Sequence, residues 1–319
     1  MAASKIIAVV GATGAQGGGL VQAILSDSES PFSVRAITRK PSSDKAKKLA
    51  QQGAEVVQAD LDDLESLKKA FASCYGAFCV TNFWEHFSAD KEKEQAKNLA
   101  KAAKAAGLQH VIWSTLEDTR ELLPISDDRM PVLQDKYNVP HLDAKGEANQ
   151  YFKDEGVPTT FLRTSFFWEN FISFGSGPQP GPDGVLALTM PMGDAKLPGI
   201  AVGDIGKAAY GIFREGPSYA GKTVGIAGEH LTGKQMADAF TEVLGQEVRY
   251  NAVPADVYRG FGFPGADELG NMFQFKRDFN EEYCGARKLE TGRSLNPEMQ
   301  NLRDWLSQHK DQIPLESAS

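Results

Sequence analysis

The N-terminal stretch constrains the fold more than any other part of the chain. Residues 6–10 are apolar, and they lead into a turn in which glycine recurs every third residue, at Gly11, Gly14 and Gly17. Apolar residues then recur at helical spacing over positions 20–25. This pattern predicts a buried strand, a glycine-rich turn and an amphipathic helix in direct succession.

Each glycine of this turn has a separate role in a dinucleotide site. Gly11 allows a sharp turn off the strand, Gly14 lets a pyrophosphate approach the backbone, and Gly17 lets the helix pack closely on the strand. The free N–H groups at the helix start, with the helix dipole, would hold the anionic pyrophosphate. The other candidate contacts in the turn are Thr13, Ala15 and Gln16. The alternative is a purely structural turn, which accounts for one or two of the glycines.

Composition and charge narrow the class of protein. The chain has 319 residues and is 41% hydrophobic, which is enough for a large core. Its net charge is −8 with both signs interspersed, so we expect no direct nucleic-acid binding, which needs a basic face. The three cysteines are few and odd in number, which indicates a reducing compartment. No pair of them has the spacing of zinc ligands, so no metal site is expected.

The sequence also bears on location. The first predicted strand begins almost at once, which leaves no room for a signal peptide, and no run of about eighteen apolar residues indicates a membrane span. We therefore expect a cytoplasmic protein, with entry into the nucleus left open.

The residues after the second predicted strand bear on cofactor choice. Residues 33–38 form this strand, and Arg39 and Lys40 follow it, where an NAD-binding chain carries an acid for the ribose 2′-hydroxyl. Arg39 can hold a 2′-phosphate in a bidentate contact. NADP(H) is therefore the predicted cofactor, and a solvated basic loop is the alternative.

Acidic residues follow the third predicted strand, over residues 55–59. Asp60 and Leu61 are candidate cofactor contacts, because an acid here could accept a hydrogen bond from the adenine amino group. Asp62 or Asp63 could instead cap the next helix, and both roles can hold for different residues.

The fourth predicted strand covers residues 77–81. Carboxyl ends of strands in such sheets line the ligand crevice, so the residues here should lie beside the nicotinamide half. These candidates are Thr81, Asn82 and Phe83. Plain packing is an equally good explanation of the aromatic pair Phe83 and Trp84.

Strands and helices alternate through the first half of the chain, which predicts a doubly wound, parallel α/β sheet of the Rossmann type. Ser114 ends the fifth predicted strand and Phe166 follows the sixth, so both are candidate cofactor contacts. We predict an NADP(H)-binding domain over residues 1–170, its sheet completed by later segments, and a smaller α+β domain over 171–319 that covers the cleft. The long loop over residues 117–140 is typical of a lid or a mobile segment.

Several stretches spread over nearly the whole chain match one family. They are residues 11–17, Thr38 with Arg39, residues 53–58, residues 80–85, His141 with residues 145–147, residues 262–266 and residues 304–306. On these stretches the chain resembles the NmrA-like family of atypical short-chain dehydrogenase/reductases. The resemblance implies a Rossmann domain with a smaller α/β domain, NADP(H) as the cofactor, and a role in sensing the cofactor's redox state and regulating protein partners.

One motif of the wider superfamily is missing. Short-chain dehydrogenases carry Tyr-x-x-x-Lys on the helix after the fifth strand, where the lysine binds the nicotinamide ribose. This chain has no such motif, but His141 and Lys145 have the same spacing at the expected place. They are four residues apart and share one helix face, as the tyrosine and lysine of the motif do. Lys145 could therefore keep the contact with the nicotinamide ribose. His141 is a candidate acid or base, although a lone histidine more often only lines a pocket.

Two functions are therefore open. The missing tyrosine favours an NADP(H)-binding redox sensor without classical dehydrogenase activity, which acts as a monomer or homodimer on a regulatory protein partner. The alternative is an NADPH-dependent reductase of quinones or related carbonyl compounds. Hydride transfer is the cofactor's own chemistry, so the protein need only orient it and stabilise a developing oxyanion.

Overall fold

The computed structural model describes residues 4–315, which form two compact units. The first unit comprises the described residues up to 118 together with 141–163 and 203–224. The second comprises residues 119–140, 164–202 and the described residues from 225 onward. The segment 203–224, which lies beyond the predicted boundary at residue 170, thus belongs to the first unit, and most of the long loop belongs to the second.

Thirteen strands and thirteen α-helices lie within residues 4–315. The strands are β1 (Lys5–Val10), β2 (Phe32–Thr38), β3 (Glu55–Gln58), β4 (Gly76–Cys79), β5 (His110–Thr115), β6 (Thr159–Arg163), β7 (Phe166–Phe167), β8 (Gln179–Pro180), β9 (Leu186–Met190), β10 (Lys196–Ile200), β11 (Thr223–Gly225), β12 (Glu229–Thr232) and β13 (Val248–Ala252). The helices are α1 (Ala15–Ser26), α2 (Asp44–Gln51), α3 (Leu64–Phe71), α4 (Ala89–Ala105), α5 (Pro140–Asp154), α6 (Asn170–Ser173), α7 (Val202–Glu215), α8 (Gly233–Leu244), α9 (Ala255–Arg259), α10 (Ala266–Asp278), α11 (Asn280–Gly285), α12 (Leu289–Leu295) and α13 (Leu302–His309).

A seven-stranded sheet forms the centre of the first unit. Its strand order is β3-β2-β1-β4-β5-β6-β11, and the neighbouring pairs from β3 to β6 run parallel. The chain moves outward from β1 to β3 and then returns to the other side of β1 to form β4. The predicted doubly wound parallel sheet is confirmed, and its order reverses between β1 and β4.

The central strands are apolar because both of their faces are covered. β4 and β5 are buried over their whole length, and β1 is buried over its last four residues. On one face, the ring of Trp113 in β5 stacks on Phe152 of α5 with centroids 5.2 Å apart. The carboxyl ends of β1, β2, β4 and β5 therefore meet at one edge, which is where doubly wound sheets bind ligands.

The second unit contains two three-stranded sheets, ordered β12-β10-β7 and β13-β9-β8. Its core includes the fully buried ring of Phe171, which meets Phe240 edge-on at 5.1 Å. Helices α9 to α12 were not predicted from the sequence. The last of the thirteen α-helices, α13, begins at Leu302, where Asn301 caps it by accepting from the Asp304 N–H at 2.9 Å.

Side chains of α10 hold the long loop within the second unit. Asn271 donates to the backbone oxygens of Pro131 (2.8 Å) and Asn138 (2.7 Å), and Gln274 donates to that of Arg129 (2.7 Å). Besides the loop's own hydrogen bonds, three therefore come from a helix more than a hundred residues later in the chain. No helix within residues 4–315 has both the length and the apolar character that crossing a membrane requires.

Candidate dinucleotide site

The glycine turn after β1 has the geometry that its sequence predicts. Gly11 has a φ of +66°, a conformation that side chains rarely adopt, and its carbonyl accepts from the Gly14 N–H at 2.8 Å. A Cβ at Gly17 would lie 2.5 Å from the Gly11 oxygen. Glycine is thus needed at Gly11 for the turn and at Gly17 for close packing of α1 on β1.

The start of α1 presents free amide groups. Its N-cap, Gly14, supplies no side-chain acceptor, and the first turn holds no acidic residue. Among the described residues, the N–H groups of Ala15, Gln16 and Gly17 have no hydrogen-bond acceptor. These donors and the helix dipole suit a pyrophosphate. The Ser114 hydroxyl, at the end of β5, donates to Gln16 Oε1 at 2.7 Å and so ties β5 to the turn.

Arg39 follows β2, exposed and ion-paired. Its guanidinium pairs with the carboxylate of Glu85, which lies in a short 3₁₀ helix after β4. Lys40, the next residue, is exposed and makes no ion pair with any described residue. Thr13, in the glycine turn, is half-buried. The structure therefore gives the predicted phosphate-binding arginine a carboxylate partner that the sequence did not indicate.

The acidic segment after β3 divides into turn and cap. Asp60 is exposed, and its carboxylate accepts from the Asp62 N–H at 3.0 Å. Asp63 caps α3 by accepting from the N–H groups of Glu65 and Ser66, so the predicted capping role falls to Asp63. Leu61 is half-buried, and its backbone oxygen accepts from Asn98. Asp60 follows β3 at its carboxyl end, so its predicted contact with the adenine amino group stays a prediction.

Lys145 of α5 lies in a buried polar network. Its ammonium group donates to Thr81 O (3.1 Å), Thr81 Oγ1 (2.8 Å) and Glu92 Oε1 (2.6 Å), and Nζ lies 5.2 Å from the Trp113 ring centroid. An ammonium group has three protons, so these three oxygens engage all of them. The Thr81 hydroxyl donates in turn to Glu92 Oε1 at 2.6 Å.

Glu92 is the counter-ion of this network and is fully buried in α4. Burial alone would raise the pKa of its carboxyl, but the charge of Lys145 and the hydrogen bonds from His86, Lys145 and Thr81 outweigh it and hold the pKa well below its usual range. Its second oxygen lies 3.4 Å from His86 Nε2. His86 Nδ1 accepts from the Ser88 N–H at 3.1 Å, so in the neutral ring the proton is on Nε2 and faces Glu92.

His141 is buried among aromatic rings. Its ring centroid lies 4.9 Å from that of Trp84 and 5.9 Å from that of Phe83. Phe83 is itself buried, and Asn82 beside it is exposed. His141 and Lys145 share α5 as predicted, but His141 faces these rings and Lys145 faces Glu92.

Phe166 is the one predicted contact that lies in the second unit. It is buried in β7, where its ring meets those of Phe171 (5.4 Å) and Phe273 (6.2 Å). Among the described residues, no group of three histidine, cysteine or carboxylate side chains could hold a metal ion.

The residues that sequence reasoning missed are Glu85, His86 and Glu92. A signal for Glu92 was available, because Ala89, Glu92, Ala96 and Leu99 recur at helical spacing and all are buried. An acid within an apolar helical stripe indicates a buried partner of opposite charge.

Comparison with known proteins identifies relatives over almost the full length. A model of the NmrA-like family matches residues 3–306. The NmrA-like family domain-containing oxidoreductase lnbB of Aspergillus flavus is 29% identical over 311 residues, which cover 92% of this chain and 90% of the relative.

Two solved structures show the same fold. NmrA, a negative transcriptional regulator, superimposes with a TM-score of 0.78 at 24% identity, over 96% of this chain and 95% of that one, and it has also been solved with NAD and with NADP. The triphenylmethane reductase of Citrobacter sp., solved with NADP(H), has a TM-score of 0.74 at 21% identity, over 95% and 99% of the two chains.

Proposed function

The chain belongs to the NmrA-like family, and we propose that it is an NADP(H)-binding regulatory protein that senses the redox state of its cofactor. The glycine turn would hold the pyrophosphate on the free N–H groups of Ala15, Gln16 and Gly17. Thr81 and Asn82 follow β4, and Ser114 lies at the carboxyl end of β5, at the same edge of the sheet, where the nicotinamide half would lie.

The state of Lys145 carries the regulatory part of the proposal. All three ammonium protons are engaged by Thr81 and Glu92, so this lysine has no free proton for a ribose hydroxyl or a substrate. The residue four positions earlier is His141, packed on Trp84, where a dehydrogenase has its proton-donating tyrosine. Binding the cofactor without turning it over fits this arrangement best.

NADP(H) is the proposed form of the cofactor. Arg39 and Lys40 are exposed cations directly after β2, and no acid stands in their place to accept from a ribose 2′-hydroxyl. NmrA has been solved both with NADP and with NAD, so the choice of NADP(H) rests on these two cations. We further propose that a protein partner receives the signal, that the protein binds it as a monomer or homodimer, and that it acts in the cytoplasm and can enter the nucleus.

A reductase is the second candidate, and the relatives favour it. lnbB is named an oxidoreductase, and the Citrobacter protein is named a reductase. A bound NADPH would supply the hydride, and the chain would only orient it beside an electrophile. The aromatic rings of Phe83 and Trp84 beside His141 could line a site for a flat quinone or carbonyl compound.

One set of measurements separates the two candidates. Calorimetry should give tighter binding of NADPH and NADP than of NAD, with different affinities or oligomeric states for the two redox forms, because a sensor must distinguish them. Absorbance at the NADPH band, followed over a panel of quinones and carbonyl compounds, should show no protein-dependent consumption. Turnover that His141→Ala lowers by about a hundredfold or more would instead establish acid–base catalysis and the reductase.

A further inference from the structure

The ion pair between Arg39 and Glu85 reaches across the predicted dinucleotide crevice. Arg39 follows β2 and Glu85 follows β4, and β1 lies between these two strands in the sheet. Neighbouring strands lie about 4.8 Å apart, so the two side chains span about 10 Å across the carboxyl end of β1. The glycine turn begins at that end, so the pair lies where the strand order reverses and where such sheets take their ligand.

Glu85 occupies the guanidinium that a 2′-phosphate would use. Among residues 4–315 it is the one side chain that pairs with the Arg39 guanidinium, and both side chains are about half exposed. A phosphate and a carboxylate compete for the same donors, and they repel each other at close range. A 2′-hydroxyl carries no charge, so an NAD(H) molecule leaves this pair without a competitor.

We propose that Glu85 is a specificity-determining residue that competes with the 2′-phosphate for Arg39 and so sets how strongly the protein prefers NADP(H) over NAD(H). The inference rests on the proposed dinucleotide function. Binding of NADP(H) exchanges the Arg39–Glu85 pair for an Arg39–phosphate pair and releases Glu85. Binding of NAD(H) leaves Glu85 on Arg39.

The release of Glu85 acts on the segment that carries it. Glu85 ends a single turn of 3₁₀ helix that also holds Phe83 and Trp84, whose rings contact His141. A charge released at one end of so short a segment changes the restraint on its neighbours. The 2′-phosphate is thereby sensed at the aromatic cluster of Phe83, Trp84 and His141.

Calorimetry with Glu85→Gln tests the competition. At low salt, where charge effects are least screened, this variant should bind NADPH about three- to fivefold more tightly than wild type, because an exposed ion pair is worth up to about 1 kcal/mol. Its affinity for NADH should stay within about twofold of wild type. Adenosine 2′,5′-bisphosphate and adenosine 5′-monophosphate differ only in the 2′-phosphate. The variant should therefore bind the bisphosphate more tightly than wild type does and bind the monophosphate unchanged, although neither ligand has a nicotinamide.

Two control variants isolate the cause. Glu65→Gln removes the same charge from an exposed ion pair with Lys68 on α3 and should change neither affinity. In an Arg39→Ala background the gain in NADPH affinity from Glu85→Gln should fall below about twofold, because there is no guanidinium left for the carboxylate and the phosphate to compete for. An equal gain for NADPH and NADH, a loss of NADPH affinity, no change at all, or an undiminished gain without Arg39 would each overturn the inference.

Tryptophan fluorescence gives an independent readout of Glu85 release. Trp84 is half-buried, whereas Trp113, Trp168 and Trp305 are fully buried, and a Trp84→Phe variant identifies its signal. The bisphosphate should change the Trp84 emission and the monophosphate should not. Identical responses to both ligands would overturn the release. Failure of wild type to bind either NADPH or NADH would refute the proposed function itself, and the inference with it.

Discussion

Replacing Glu92 with glutamine tests the buried ion pair at Lys145. The change keeps the size of the side chain and removes the counter-charge, so Lys145, which is 8% exposed, stays buried with its ammonium group beside Thr81 and the Trp113 ring. Breaking a buried pair by removing one partner costs about 3–5 kcal/mol. With an unfolding entropy of ~2.1 cal/mol/K per residue, this lowers Tm by roughly 4–8 °C.

The pH dependence of this loss identifies its cause. Burial opposes ionisation of Glu92, but Lys145, His86 and Thr81 lower its pKa in the folded protein below the ordinary value of 4.5. A carboxyl with a depressed folded pKa stabilises the fold above its unfolded pKa and loses that contribution as the pH falls through the folded pKa. The stability difference between wild type and Glu92→Gln should therefore be complete at neutral pH and should shrink below pH 4.5.

Urea denaturation at a series of pH values measures this difference. Glu94→Gln, an exposed change on the same helix, should alter the free energy of unfolding by less than about 0.5 kcal/mol. Glu92→Leu combined with Lys145→Met should recover much of the single-variant loss, because apolar replacement of both partners leaves no unpaired charge. A Glu92→Gln loss below about 1 kcal/mol, or one that stays constant from neutral pH to about pH 3, would refute the reasoning.

Three further variants test the rest of the site. Arg39→Ala should weaken NADPH binding about ten- to hundredfold in calorimetry while leaving NADH nearly unchanged, and equal wild-type affinities for the two cofactors would contradict the assignment. His141→Ala should leave NADPH affinity within about twofold, because its ring packs on aromatic neighbours, and a larger loss would make it a ligand. Gly17→Ala should lower both Tm and NADPH affinity, because its Cβ would lie 2.5 Å from the Gly11 oxygen. Gly18→Ala is the control and should be tolerated, because its Cβ would lie 3.4 Å from the nearest atom. Equal effects of the two changes would show that close packing is not the cause.

The sheet of the first unit could be predicted because its signals are local. Apolar strands, the glycine turn and caps such as Asp63 are each visible within a few residues. The second unit was harder, since its strands are short and several of its helices depend on tertiary contacts. The long loop shows the difference: besides its local hydrogen bonds, it is held by Asn271 and Gln274, more than a hundred residues later in the chain.

The site divides in the same way. The backbone part, the turn from Gly11 to Gly17, followed from the sequence alone because glycine spacing encodes its geometry. The carboxylates did not, because Glu85 and Glu92 meet their partners across strands or between helices. Helix α4 is rich in lysine and glutamate, a composition typical of a solvent-exposed helix, although one of its glutamates, Glu92, is buried.

The paired state of the cations decides where the protein can distinguish one cofactor from another. Of the three cations predicted to contact the dinucleotide, Arg39 and Lys145 have carboxylate partners, and only Lys40 makes no ion pair with a described residue. A free cation would bind a phosphate and leave the protein unchanged. A paired cation must exchange its partner, so binding alters the segment that carries the carboxylate. A ligand shifts a conformational equilibrium only by its differential affinity for the two states.

The same reasoning applies to the redox state of the nicotinamide. The oxidised ring is positively charged and the reduced ring is neutral, so an unpaired lysine beside the ring would favour the reduced form by Coulomb repulsion. Glu92 cancels the charge of Lys145, so this simple preference is removed. Lys145 donates to Thr81, which lies where we propose the nicotinamide half to bind, so discrimination between NADPH and NADP then depends on whether the ring disturbs the Lys145–Glu92 pair. Glu92→Gln leaves the charge of Lys145 unpaired, so it should shift the ratio of the two affinities towards NADPH. Calorimetry with NADPH and with NADP measures this ratio. An unchanged ratio would be evidence against a role for the Lys145–Glu92 pair in sensing.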